Sequence, residues 1–125
     1  MFVVGKLDNE AFLRKYDTSG VEDWTRSFRP FGVAIGYTRD VTVDGSGNAY
    51  VAGGGLASLN NTDAYIRKFD PSGAHVWTLQ FGDGTLAEVV GVANDTNGNV
   101  YWGGMNNQIE GRLLPFFGKY SSCGL

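Results

Sequence analysis

The chain has 125 residues, 42% of them hydrophobic and 14% aromatic, which is enough for one packed domain, or part of one, and too much for a disordered polymer. Ten Lys and Arg against thirteen Asp and Glu leave a net charge of -3, so there is no basic surface for a phosphate backbone and no nucleic acid is expected as a partner. The single cysteine, Cys123, cannot close an internal disulfide, and no uncharged run is long and apolar enough to span a bilayer.

Nineteen Gly, three Pro and no long apolar stripe of 3.6 period predict an all-β chain of short strands and tight turns. The opening MFVVGKLD carries one strand-like stretch and lacks the basic region and long apolar segment of a signal peptide. EAFLRKYDTSGVEDWT, from Glu10, reads as a hairpin closed by Asp-Thr-Ser-Gly, and the connection FRPFGVAIGYTRD follows it. Four strand-like segments come next, roughly Thr38 to Asp44, Asn48 to Gly54, Asp63 to Asp70 and Ala74 to Phe81. The remainder, from FGDGTLAEVVGVAN through NDTNGNVYWGG to PFFGKYSSCGL, supplies three more.

These segments repeat. VDGSGNAYVAGG returns as NDTNGNVYWGG, with Asp95, Gly98, Asn99 and Tyr101 following Asp44, Gly47, Asn48 and Tyr50 by 51 residues. The Glu10 hairpin returns as DAYIRKFDPSGAHVWT from Asp63, 53 residues on, and a third copy opens at PFFGKYSSCG. A unit of about 50 residues with four antiparallel strands is the signature of a propeller blade. The expected fold is therefore an incomplete β-propeller of about two and a half blades and about ten strands: a partial blade over 1–28, a complete one over 38–82 and a partial one over 88–125. Tyr50, Tyr65, Phe69, Trp77 and Phe81 are expected to pack between neighbouring blades.

Asp44, Ser46 and Asn48 place oxygens at alternate positions, as a calcium loop does, but Ala49 and Gly55 occupy the sixth and twelfth positions, where an EF-hand needs Gly and a bidentate acid. The stretch reads instead as a turn, closed by a side-chain oxygen and a Gly of positive φ. His75, the only histidine, has no second imidazole for a metal or triad and reads as a surface strand residue. Cys123 stands where Ser19 and Ser72 stand and reads as a small turn residue. Gly53 to Gly55 end a strand and do not open a helix, which argues against a phosphate loop. No cofactor is expected, and folding is expected to need neither calcium nor zinc.

With these residues in view, GNAYVAGG and GNVYWGG followed by DAYIRKFDPSGAHVWTLQFG resemble the bacterial repeat called SBBP, for seven-bladed beta-propeller. In that family a Gly-Asn-x-Tyr-Val-x-Gly strand precedes an Asp-Ala-Phe-x-x-Lys-x-Asp-x-x-Gly-x-x-x-Trp hairpin. The match departs from the pattern at Asn94 and Asp95, at Gly118 where the other hairpins have Arg, and in the longer FRPFGVAIGYTRD connection. The resemblance implies a propeller in an exported or cell-surface bacterial protein, and no catalytic residues.

Successive turns of an up-and-down blade alternate between its two ends. The short turns Gly45 to Gly47, Thr96 to Gly98, Thr18 to Gly20 and Pro71 to Gly73 are therefore expected at one end. Arg29 to Tyr37, Gly82 to Glu88, Gly55 to Thr62 and Met105 to Arg112, which vary in length and content, are expected at the other. Variable loops on a rigid scaffold are where binding usually resides. The binding candidates are Phe31, Tyr37, Leu56, Leu59, Asn60, Asn61, Met105, Asn106, Asn107, Gln108 and Arg112. The expected function is a non-catalytic scaffold or binding segment for a protein or glycan, with the remaining blades of a longer chain as partners. The alternative is part of a propeller lyase or hydrolase, for which Arg39, Asp40 and Glu88 are the channel-facing candidates. As an isolated segment the chain is expected to associate through its open flanks.

Overall fold

A computed structural model describes residues 1–29, 36–58, 61–81, 86–109 and 112–120. Ten strands occur among them: β1 (Phe2–Leu7), β2 (Glu10–Tyr16), β3 (Glu22–Phe28), β4 (Gly36–Val43), β5 (Ala49–Ser58), β6 (Asn61–Phe69), β7 (His75–Phe81), β8 (Leu86–Asn94), β9 (Val100–Ile109) and β10 (Arg112–Tyr120). Each strand pairs antiparallel with its sequence neighbour, giving three sheets in the orders β1-β2-β3, β4-β5-β6-β7 and β10-β9-β8. The all-β class and the expected ten strands are as the sequence reading has them. Among the described residues no helix is long and apolar enough to cross a membrane.

Period-two alternation builds the core, because neighbouring residues of a strand point to opposite faces. On the central sheet Tyr50, Ala52, Ala64 and Ile66 face Val89, Val92 and Val100 of the third sheet. Ala49, Val51, Tyr65 and Phe69 face Ala11, Leu13 and Phe28 of the first. The middle sheet is thus covered on both sides, which is why β5 and β6 are apolar at odd and even positions alike. Tyr50, Tyr65, Phe69 and Trp77 pack between sheets as expected, while the side chain of Phe81 lies outside the described residues.

Four equivalent turns set the registers. In each, an Asp carboxylate oxygen accepts the backbone N–H two residues on: Ser19 to Asp17, Ser46 to Asp44, Ser72 to Asp70 and Asn97 to Asp95, all at 2.9 Å. The same oxygen accepts a second N–H four residues on, from Val21, Asn48, Ala74 and Asn99. Gly20, Gly47, Gly73 and Gly98 close the turns at φ 84–86°, a region in which a side chain is strained.

Two connections differ from the expectation. The stretch from Gly55 to Thr62 is no open loop: β5 continues to Ser58 and β6 begins at Asn61, with Leu56 paired to Thr62. Likewise β9 runs to Ile109 and β10 begins at Arg112, so Met105, Asn106 and Asn107 pair with Pro115, Leu114 and Leu113. Gly53 and Gly54, read from the sequence as the end of a strand, serve close approach within it. A Cβ on Gly53 would collide with the Tyr37 carbonyl, and one on Gly54 would come within 2.8 Å of the Tyr37 hydroxyl.

Candidate functional site

The four Asp turns gather at one end of the sheets. Trp24 Nε1 donates to Pro71 O at 3.2 Å, and Arg26 Nε and Nη2 donate to Gly73 O and Ser72 O at 2.7 and 3.2 Å, which ties the first sheet to the β6–β7 turn. Thr42 Oγ1 donates to Asn94 Oδ1, tying β4 to β8 beside the Asp44 and Asp95 turns.

The Asp44 carboxylate is fully engaged. Besides the two backbone donors, Asn48 Nδ2 and the Tyr50 hydroxyl donate to Oδ2 at 3.0 and 2.9 Å. Burial works against the charge, but the hydrogen bonds from Asn48, Tyr50 and Ser46 outweigh it and hold the carboxyl below its ordinary range. Asp95 repeats the arrangement with Asn99 and Tyr101 and is lowered to about 2, chiefly by the Asn99 side chain. Asp17 and Asp70 are also lowered, first by the hydroxyls of Ser19 and Ser72. These oxygens act as acceptors for the turn's own donors, which is the turn reading of the sequence. Among the described residues no cluster of three or more His, Cys, Asp or Glu is placed to hold a metal.

At the opposite end, a cleft of about 350 Å³ is lined by Lys6, Tyr37, Thr38 and Arg39. The Arg39 guanidinium lies 4.9 Å from the centre of the Tyr37 ring, within cation–π range. Below it Tyr65, fully buried, shares a hydrogen bond of 2.8 Å with Thr38 Oγ1 and donates to Tyr37 O at 3.1 Å. Burial pushes the Tyr65 phenol far above its ordinary value, so it acts here as a neutral post under the Tyr37 backbone. Asp63 is also buried; its Oδ2 accepts from Gln80 Nε2 at 2.8 Å, and its Oδ1 has no partner.

Of the sequence-predicted binding residues, Tyr37 alone is described with its side chain, and it lines this cleft. Phe31, Leu59 and Asn60 lie outside the described residues. So do the side chains of Leu56, Asn61, Met105, Asn106, Asn107, Gln108 and Arg112, whose backbones belong to strands. Of the channel candidates, Arg39 stacks on Tyr37, and Asp40 accepts the backbone N–H of Val41 at 2.9 Å and of Val92 at 3.0 Å. Asp40 thereby fixes β4 to β8. The side chain of Glu88 and all of Cys123 lie outside the described residues.

A second cleft, of about 380 Å³, opens at the turn end between the first and central sheets, lined by Arg26, Phe28, Arg67, Ser72, Gly73 and His75 among others. Sequence reasoning did not point to it, because Arg26 and Arg67 stand on different sheets. His75 is an exposed strand residue, as expected, at the start of β7. The chain matches no protein-family model, and no curated protein matches it.

Proposed function

We propose that this chain is a segment of a β-propeller of the SBBP type: a non-catalytic scaffold in an exported bacterial protein, flanked by further blades and presenting one end for binding a protein or glycan. The observation that supports it is that a single inter-sheet interface occurs twice. At the first interface Trp24, which meets Phe2 of its own sheet at 6.0 Å, reaches Phe69 of the central sheet at 6.4 Å. At the second, Trp77, which meets Tyr50 of its own sheet at 6.0 Å, reaches Tyr120 of the third sheet at 4.8 Å. Ala11 and Leu13 in the first interface become Ala64 and Ile66 in the second. Stacking by a repeated operation is how blades bury their faces.

For binding, the Lys6, Tyr37 and Arg39 cleft is the described part of the end where connections vary. An aromatic ring with a guanidinium and an ammonium beside it suits a sugar face or an acidic side chain. Screening the chain on a glycan array tests the reading, with Tyr37→Ala and Arg39→Ser alongside the unmodified protein. Retained glycans that both variants lose are expected. Binding indifferent to both, or cleavage of an arrayed glycan, would count against a binding scaffold at this end.

A further inference from the structure

Two hairpins of this chain share one sequence pattern but not their charges. In the β2–β3 hairpin Arg14 pairs with Glu22 at 3.3 Å, Lys15 with Asp23 at 3.9 Å, and Glu10 with Arg29 at 3.3 Å. The equivalent positions of the β6–β7 hairpin keep Arg67, Lys68 and Asp63, but their partners have become His75, Val76 and Gly82. All three counter-charges are gone. Lys68 now lies over the Tyr50 ring, with Nζ 5.4 Å from its centre.

Arg67 is the consequential case. It is half-buried, stacked 4.4 Å from the centre of the Phe28 ring, with Nε donating to Thr78 Oγ1 at 2.8 Å. Arg14 makes the same bond to Thr25 Oγ1 at 2.8 Å and adds the Glu22 carboxylate. Among the described residues Arg67 has no carboxylate and no further hydrogen bond, so the terminal nitrogens of its fork remain open. The 380 Å³ cleft lies where that fork ends. Arg26, across the cleft on β3, adds a second positive charge, its own donors being taken by backbone carbonyls of Thr25, Ser72 and Gly73.

His75 occupies the place of the missing carboxylate, with Nε2 2.8 Å from Thr78 Oγ1. Which ring nitrogen carries the proton is set by the Thr78 hydroxyl together with a hydrogen bond to the Trp77 backbone. Burial and the Arg67 charge both hold His75 below its ordinary value. Of the other charged groups nearby, Asp70 spends its Oδ1 on Ser72 and Ala74 within the turn.

We propose that this cleft is a subsite for a carboxylate carried by a small ligand, gripped by the Arg67 fork with the Arg26 charge facing it across the cleft. A planar carboxylate matches the guanidinium fork in two parallel hydrogen bonds. It would restore what Glu22 supplies in the sister hairpin, where the counter-charge is built into the chain. The assignment does not rest on the propeller reading.

The single histidine makes the test direct. The imidazole resonances of the full chain are followed by NMR through a pH titration, with sodium acetate and, at equal ionic strength, sodium chloride. Acetate is expected to raise the His75 midpoint saturably, by roughly one pH unit, since an anion beside the ring favours its charged form. Arg67→Gln removes the effect. His75→Glu places the Glu22 carboxylate back in the hairpin, keeps the fold, and should abolish the acetate-induced shifts of the backbone amides of residues 72–77. Chloride reproducing the acetate shift, or amide shifts persisting in His75→Glu, would overturn the proposal, and preference for inorganic phosphate over acetate would overturn the assignment to a carboxylate.

Discussion

Tyr50 of the central sheet and Tyr101 of the third are the same residue in the same local setting. Each donates its hydroxyl to an Asp six residues back, at 2.9 and 3.0 Å, and each lies under a lysine ammonium, 5.4 and 5.6 Å from the ring centre. Yet Tyr50 is 4% exposed and Tyr101 40%. The difference comes from a neighbour: the third sheet covers the first ring, and among the described residues no further sheet covers the second. Local sequence decides conformation and hydrogen bonding here, while burial is conferred by the next repeat. The same contrast separates Ile66, fully buried, from its counterpart Phe117, which is 87% exposed.

The sharpest way to break this comparison is to truncate that last pair. Ile66→Ala should cost about 2–5 kcal/mol by urea denaturation, as buried aliphatic truncations do, whereas Phe117→Ala should stay within about 0.5 kcal/mol, as exposed changes do. Equal costs would mean that the Phe117 face is covered in solution. A middle-sized effect is expected at the glycines. Gly20 and Gly73 have φ of 84° and 86°, but a Cβ at Gly20 meets nothing within 4 Å, while one at Gly73 meets Arg26 Nη2 at 2.8 Å and Trp24 at 2.9 Å. Gly20→Ala then pays only the left-handed strain, about 1–2 kcal/mol, and Gly73→Ala should exceed it; the excess, read from thermal melts, measures how tightly the first sheet seats on the turn.

Removing the hydroxyls is a smaller change. Tyr50→Phe should lose about 1 kcal/mol, the usual worth of a part-buried hydrogen bond, and Tyr101→Phe less, because water can replace the lost donor at an exposed site. The smallest effect concerns acid. Asp44 and Asp95 both have carboxyls lowered from the ordinary 3.8, so each stabilises the fold above that value and ceases to as pH falls through its folded midpoint. Burial opposes the lowering at Asp44 and matters less at Asp95, which titrates at about 2. Carboxyl NMR should find the Asp95 midpoint at about 2, and Asp95→Asn should make urea stability less steep below pH 4.

Much of the fold was legible because its punctuation is local. Asp17, Asp44, Asp70 and Asp95 each announce a turn that needs no tertiary contact to be read, and the Tyr and Trp spacings between them give the strands their faces. The extents of β5 and β9 were not legible. Gly53 and Gly54 look like breakers until Tyr37, contributed by the strand next door, is seen to occupy the space that side chains would fill. The site was less legible than the fold. Tyr37 was anticipated at one end, but the Arg67 cleft is built from two sheets, and its signal in the sequence is a difference between copies, Glu22 against His75, where attention falls naturally on what copies share.

The repeated interface has a consequence for symmetry. The face that the first sheet turns to the second, carrying Ala11 and Leu13, is not the face that the second turns back, carrying Tyr65 and Phe69. Such a contact is heterologous: no two-fold axis relates its halves. Each added unit presents again the kind of surface it has just covered, as Tyr101 of the third sheet presents anew what Tyr50 hides. An assembly grown through this contact cannot finish as a symmetric dimer; it ends when the accumulated rotation closes a ring, and otherwise continues as a filament.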